Sequence, residues 1–186
     1  MELRPLGIDG IIEIIPEKLG DARGYFAETY ARGSFHAIGI EQEWIQDNQS
    51  FSAEEGVLRG LHFQVPPFAQ DKLIRVLRGS IFDVAVDIRK GSPTFGSWVS
   101  CKVSAAAFNQ LLVPKGFAHG FVTLEPETEV LYKVSAPYSA ACDRSVFYAD
   151  PAIGIAWPLP SSGPILSDRD RKAPQLADTI AGISFD

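Results

Sequence analysis

The sequence predicts an all-β sandwich or barrel. Three observations carry that class: short runs of alternating apolar and polar residues, turn signals at regular spacing between them, and helix confined to two short stretches. The clearest run is 81–88, where Ile81, Asp83, Ala85 and Asp87 point one way and Phe82, Val84, Val86 and Ile88 the other, as in a strand with one buried face. Residues 72–77 precede it across Arg78-Gly79-Ser80, a glycine-containing hairpin signal, and residues 98–103 follow across the loop 90–96. Residues 11–15, 26–30, 110–113, 120–124, 130–134 and 145–147 read as further strands. Helix is expected over 33–38 and 174–180. The Pro- and Gly-rich stretch 150–164 reads as an ordered loop, since Ile153, Ile155 and Trp157 have apolar surface to bury.

At 186 residues the chain fits one domain, 1–186, with a core large enough to need no covalent staple. The N-terminus lacks a signal-peptide core, and no apolar run reaches membrane-spanning length. Cys101 and Cys142 read as two half-buried thiols of a reducing compartment, which places the protein in the cytoplasm. A net charge of −6 argues against a nucleic-acid partner, which would need a basic face. A small anionic ligand remains compatible, because a few cations focused in a cleft, such as Arg23, Arg59 and Lys72, can hold a diphosphate.

The chemistry-bearing residues cluster in three blocks. Residues 56–76 hold Arg59, His62 and Lys72 in strand-like surroundings; residues 113–121 hold His119; residues 129–134 hold Tyr132, alternating with Val130 and Val134. A strand histidine is often a core residue satisfied by a carbonyl, and a strand tyrosine is often core as well. Several cations beside that histidine weigh toward function, because burying charge without a role is unfavourable. Base, cation and phenol in one barrel are what enolate chemistry requires. Asp168-Arg169-Asp170 has two readings: a cap for the final helix, or a carboxylate that orients His62. A metal site is thinly supported, since the only other histidines are His36 and His119 and no His-x-His pair exists. No glycine-rich loop joins a strand to a helix, so a Rossmann or P-loop site fails on context.

At these residues the sequence resembles the dTDP-4-dehydrorhamnose 3,5-epimerase family. The resemblance runs through 21–28, 46–50, the Arg59/His62 block, 82–96, the His119 block, Tyr132 and 166–170, in order and at matching spacing. It implies a cupin-like jelly-roll barrel with short peripheral helices, a homodimer, and catalysis without metal or cofactor. It implies a dTDP-sugar substrate, dTDP-4-dehydro-6-deoxy-D-glucose, inverted at C3 and C5. By resemblance His62 matches the proton acceptor, Tyr132 the proton donor and Asp170 the carboxylate paired with the histidine. Lys72, Arg23, Phe26, Glu28, Gln46, Asn48, Arg59 and His119 match ligand-binding positions, and Tyr138 matches the aromatic that stacks on thymine. Asp143 stands where the family often has Glu, and Arg169 where it often has Lys; both keep the sign of charge and change reach and fork geometry.

Elementary chemistry agrees. A C4 ketone acidifies both the C3 and C5 hydrogens, so one base beside one oxyanion stabiliser can serve two carbons in turn. In this reading His62 takes each proton, Lys72 favours the enolate oxygen by about 3–4 kcal/mol, and Tyr132 reprotonates from the opposite face. The rivals are a single-site 3- or 5-epimerase or a ketoisomerase on a related sugar, a noncatalytic sugar-binding barrel, and a metal-dependent cupin oxygenase.

Overall fold

Alternation of apolar and polar residues, broken by glycine turns, gives a computed structural model that describes residues 1–185 and in which every strand pairs antiparallel. In chain order the elements are β1 (Glu2–Pro5), β2 (Ile12–Ile15), β3 (Leu19–Asp21), β4 (Gly24–Phe26), α1 (Arg32–His36), β5 (Gln46–Ser52), β6 (Leu58–Gln64) and β7 (Lys72–Arg78). They continue with β8 (Ser80–Asp87), β9 (Trp98–Ser104), β10 (Gln110–Val113), β11 (Phe117–Thr123), β12 (Thr128–Val134), β13 (Asp143–Ser145), α2 (Asp168–Arg171) and α3 (Leu176–Thr179). One sheet runs β1-β2-β10-β7-β12-β5 and the other β13-β6-β11-β8-β9, with β3-β4 as a separate hairpin. The two larger sheets face each other across a shared core that includes Ile74, Val76, Leu111 and Val130 from one and Ile81, Ala85, Val103 and Phe121 from the other. This is the expected all-β, cupin-like jelly roll with short peripheral helices.

The glycine turn at 79 is present, but the hairpin expected there is corrected: β7 pairs with β10 and β12 and β8 with β9 and β11, so the turn carries the chain from one sheet to the other. Gly79 joins β7 to β8 at φ 77°, and a Cβ there would collide with Thr128. The expectation of one buried face on 81–88 is corrected: Ile81, Asp83, Ala85 and Asp87 are buried, and so are Val84, Val86 and Ile88. The cause is the chain after β13, which folds back so that Ile153, Ile155, Trp157, Leu176 and Ile180 pack against the outer side of β8. The buried polar groups on that strand are satisfied: Asp87 by Arg89, Ser92 and Thr94, and Asp83 by His119.

Other expectations shift. Of 26–30 only Phe26 is in a strand, while Tyr30 leaves the sheet to meet the Phe35 ring, centroids 4.9 Å apart. The strand expected at 120–124 begins at Phe117, and that at 145–147 is β13, which ends at Ser145. The strand expected at 11–15 is β2, paired on one side with β1 and on the other with β10. Asp168-Arg169-Asp170 does not cap the final helix; it forms its own turn, α2, with Ser167 as N-cap, and α3 has Gln175 at its N-cap without a side-chain bond.

Candidate active site

The site is built where β6, β11, β12, β5 and β7 turn side chains into the mouth of the barrel. On β6, Arg59 and His62 are three residues apart, a spacing that regular pleating sends to opposite faces. The ladder is irregular there: β11 places His119 across from His62 and Phe121 across from Arg59, so three residues on β6 span two on β11. The irregularity brings Arg59 and His62 to the same cavity. It is permitted by two glycines in close approach, since a Cβ on Gly60, at φ 137°, would lie 2.6 Å from the Gly120 Cα.

A cavity of about 340 Å³ is lined by Arg59, His62, Lys72, His119, Tyr132 and Asp170, with Ile74, Phe121 and Val130 as its apolar wall. A second, of about 400 Å³, is lined by Gln46, Asn48, Gln70, Tyr138 and Asp143 and shares His62, Lys72, Tyr132 and Arg169 with the first. The two spaces therefore form one elongated cleft with His62, Lys72 and Tyr132 at its waist.

His62 is held by Asp170, with Nε2 2.5 Å from Oδ1. Asp170 is buried, and its Oδ2 accepts from Ser167 Oγ at 2.9 Å. Burial pushes the Asp170 carboxyl up, but the hydrogen bond and charge of His62 and the Ser167 hydroxyl outweigh it and hold the group below the usual carboxylate range. The carboxylate thus accepts from Nε2–H and leaves the other ring nitrogen as the basic one. Lys72 Nζ lies 3.5 Å from the His62 carbonyl oxygen. Burial pushes its ammonium down to about 8, only partly opposed by Asp83 and Asp143. Tyr132 is raised by burial and the Asp143 charge, with Arg59 pulling the other way, so the phenol keeps its proton.

His119 forms a second histidine–carboxylate pair, its Nε2 2.8 Å from Asp83 Oδ1, both buried. Arg59 donates to the Phe51 carbonyl and to Ser52 Oγ, and among the described residues no carboxylate lies within ion-pair distance of it. Gln46 Nε2 donates to Asn48 Oδ1 at 2.8 Å. Tyr138 is 61% exposed at the cleft's rim, its hydroxyl 3.3 Å from Asp143 Oδ2. Asp143 and Arg169 meet as a bidentate fork, at 2.7 and 2.8 Å.

Three expected site residues are not brought into the cleft of their own chain. Arg23, its side chain 89% exposed, is tied to Asp21; Phe26 is 70% exposed; Glu28 accepts from Ser34. Sequence reasoning missed three others. Ser50 continues the alternation of Gln46 and Asn48 on β5, so period two could have found it, and its buried Oγ has no hydrogen-bond partner among the described residues. Asp83 was legible only as a strand carboxylate, and Ser167 carried no signal beyond its capping potential. No group of three or more His, Cys, Asp or Glu side chains is placed to hold a metal ion among the described residues.

A jelly roll whose cleft sets a carboxylate-held histidine near a protonated phenol and a buried ammonium defines a class of proton-transferring isomerase. Residues 5–178 match the family model described as dTDP-4-dehydrorhamnose 3,5-epimerase. The dTDP-4-dehydrorhamnose 3,5-epimerase of Sinorhizobium fredii is 49% identical over all of this chain and 94% of its own length. The solved structure of that enzyme from Bacillus anthracis, with TDP and pyrophosphate bound, is 48% identical with a TM-score of 0.90 over 94% of this chain and 98% of its own. A Legionella pneumophila dTDP-6-deoxy-D-glucose-3,5-epimerase in complex with dTDP-4-keto-L-rhamnose is 42% identical, with a TM-score of 0.90 over 95% of this chain and 93% of its own. The chain belongs to the dTDP-4-dehydrorhamnose 3,5-epimerase family and is a nucleotide-sugar epimerase.

Proposed function

We propose that this enzyme inverts C3 and C5 of dTDP-4-dehydro-6-deoxy-D-glucose through enolate intermediates, yielding dTDP-4-dehydro-L-rhamnose for dTDP-L-rhamnose biosynthesis. The observation that carries the reading is the waist of the cleft, where His62, tied to buried Asp170, shares one cavity with Lys72 and Tyr132. The free ring nitrogen of His62 takes the proton from C3 or C5, and Asp170 stabilises the imidazolium that forms. Lys72, its ammonium already desolvated, balances the charge that develops on the C4 oxygen. Tyr132 then delivers a proton from the other face; solvent takes the proton from His62 and returns one to the Tyr132 phenolate, and the cycle repeats at the second carbon. Water can serve as donor at one of the two.

The rest of the cleft suits a nucleotide. Tyr138 offers a face to thymine, Gln46, Asn48, Asp143 and Arg169 line the adjoining space, and Arg59, with no acidic partner among the described residues, supplies a cation for the diphosphate. The unpartnered Ser50 hydroxyl suits a sugar hydroxyl. We further propose a single-domain homodimer in which Arg23, Phe26 and Glu28 act on the partner's cleft, since they stand away from their own. Exposed Leu77 and Phe51 on the outer side of the six-stranded sheet, and Leu19, Tyr25 and Phe26 on the β3-β4 hairpin, support a covered surface there. No helix is long and apolar enough to cross a membrane among the described residues, and both cysteines are free thiols, which fits a cytoplasmic enzyme without nucleic-acid or membrane partners.

The test is incubation with dTDP-4-dehydro-6-deoxyglucose in heavy water. Deuterium at both C3 and C5, with inversion at each, is expected. Label at one carbon alone would mean a single-site epimerase, and none at either would leave only a binding protein.

A further inference from the structure

The fork between Asp143 and Arg169 ties together the two elements that carry the proposed base and its carboxylate. His62 stands on β6, and directly across from it on β13 is Ser145, with Asp143 across from Gln64. Arg169 stands on α2, one residue before Asp170. Its guanidinium reaches β13 through four contacts: Nε donates to Ser145 Oγ at 2.7 Å, Nη2 to Asp143 Oδ1 at 2.8 Å and to the Arg144 carbonyl at 3.4 Å, and Nη1 lies 2.7 Å from Asp143 Oδ2. A ring closes. Sheet register links His62 to β13, the fork links β13 to Arg169, one peptide unit links Arg169 to Asp170, and Asp170 returns to His62 at 2.5 Å.

The ring matters because α2 cannot place Asp170 by itself. A four-residue helix is far below the length at which helical hydrogen bonding outweighs nucleation, so tertiary ties must fix it. Ser167 caps its start and bonds the Asp170 carboxylate, which orients that group within the turn but does not anchor the turn to β6 or β13. Arg169 does. Its fork is bidentate and half sheltered, with side chains 46% and 12% exposed for Arg169 and Asp143, unlike the freely solvated ion pairs that contribute little.

We propose that Arg169 and Asp143 are positioning residues for the His62–Asp170 pair, the fork setting the reach and angle at which Asp170 meets His62. The inference rests on His62 being the base of the proposed reaction. The fork fixes a span that a longer carboxylate at 143 facing the shorter, unforked head of a lysine at 169 would also fill.

The test uses the full chain, steady-state kinetics on dTDP-4-dehydro-6-deoxyglucose and the rate of deuterium exchange at saturating substrate. Arg169→Lys alone removes the fork, and Asp143→Glu alone crowds it. Each is expected to lower turnover and exchange about 10- to 100-fold, the size of a small misplacement at a reacting centre, and by more than it raises KM. The double exchange Arg169→Lys with Asp143→Glu is expected to recover most of that loss. Raised KM with unchanged exchange at saturation, or a double variant no better than the worse single, would overturn the proposal and leave the pair as substrate contacts alone. Should a single exchange unfold the chain, Ser145→Ala removes only the Nε tie: reduced turnover at unchanged KM supports the proposal, and wild-type turnover overturns it. A wild-type chain that exchanges no hydrogen at C3 or C5 would instead overturn the function itself, an outcome visible before any variant is made.

Discussion

In the proposed reaction Lys72 sets stability and activity against each other. The unfolded chain holds this proton up to about 10.5 and the folded chain only up to about 8. Between those values the unfolded state binds more protons, so stability rises with pH across that window, and below about 8 the folded protein carries the full penalty, at most about 3 kcal/mol. Lys72→Met is therefore expected to raise Tm at pH 7, to flatten the rise of stability above pH 8 and to abolish turnover; calorimetry across pH beside an activity assay checks all three. Wild-type turnover should decline as pH passes 8, because a neutral amine cannot balance an enolate. His62 and Tyr132 separate by isotope. His62→Ala should lose both exchange and product, whereas Tyr132→Phe should keep deuterium wash-in at one carbon or both while inversion falls, since the base can return a solvent proton to the same face. Equal loss of exchange and inversion in folded Tyr132→Phe would move the phenol from donor to positioning group. Arg59→Ala should raise KM more than it lowers kcat if the guanidinium holds the diphosphate. Collapsed kcat at an unchanged KM would place it at the enolate.

At the scale of elements, the functional geometry depends on the irregular stretch between β6 and β11. The close approach of Gly60 and Gly120 lets three residues on one strand span two on the other, and only then do Arg59 and His62 share a cavity. Gly60→Ala places a Cβ 2.6 Å from the Gly120 Cα at a φ of 137° that L residues rarely adopt. We expect a loss of at least about 2 kcal/mol in denaturant unfolding, with activity falling further than the folded fraction as Arg59 and His62 lose their common face. Strand β5 shows the converse. Its alternation is polar on the cleft side, with Gln46, Asn48, Ser50 and Ser52, so a search for apolar alternation passes over it although it pairs along all of β12.

For the whole molecule, Arg23, Phe26 and Glu28 frame the decisive question, since they resemble ligand-binding positions yet stand outside their own cleft. If a second copy receives them, mixing His62→Ala chains with Arg23→Ala chains, each inactive alone, should regain activity. Every mixed dimer then has one cleft with native His62 from one chain and native Arg23 from the other. No recovery after the chains have exchanged partners, or light scattering that finds a fully active monomer at micromolar concentration, would return these residues to another role.

The sequence by itself determined the class of fold, the glycine turn at 79, the apolar loop residues that find burial, and Arg59, His62, Lys72, His119 and Tyr132 of the cleft, but neither the place of Ser50 there nor the distance of Arg23, Phe26 and Glu28 from it. Period-two alternation, glycine turns and chemically distinctive side chains are local signals that survive without tertiary contacts. The partnership of His62 with Asp170 was readable only as one of two uses for that aspartate, since 108 positions separate them in the chain. Only tertiary structure decided that Asp170 leaves the final helix uncapped, that His119 is held by Asp83, and that β8 is buried on both faces. The reason is physical: α2 is too short to direct its own side chains, and burial of a strand's second face depends on where a distant segment folds back, which no local pattern encodes.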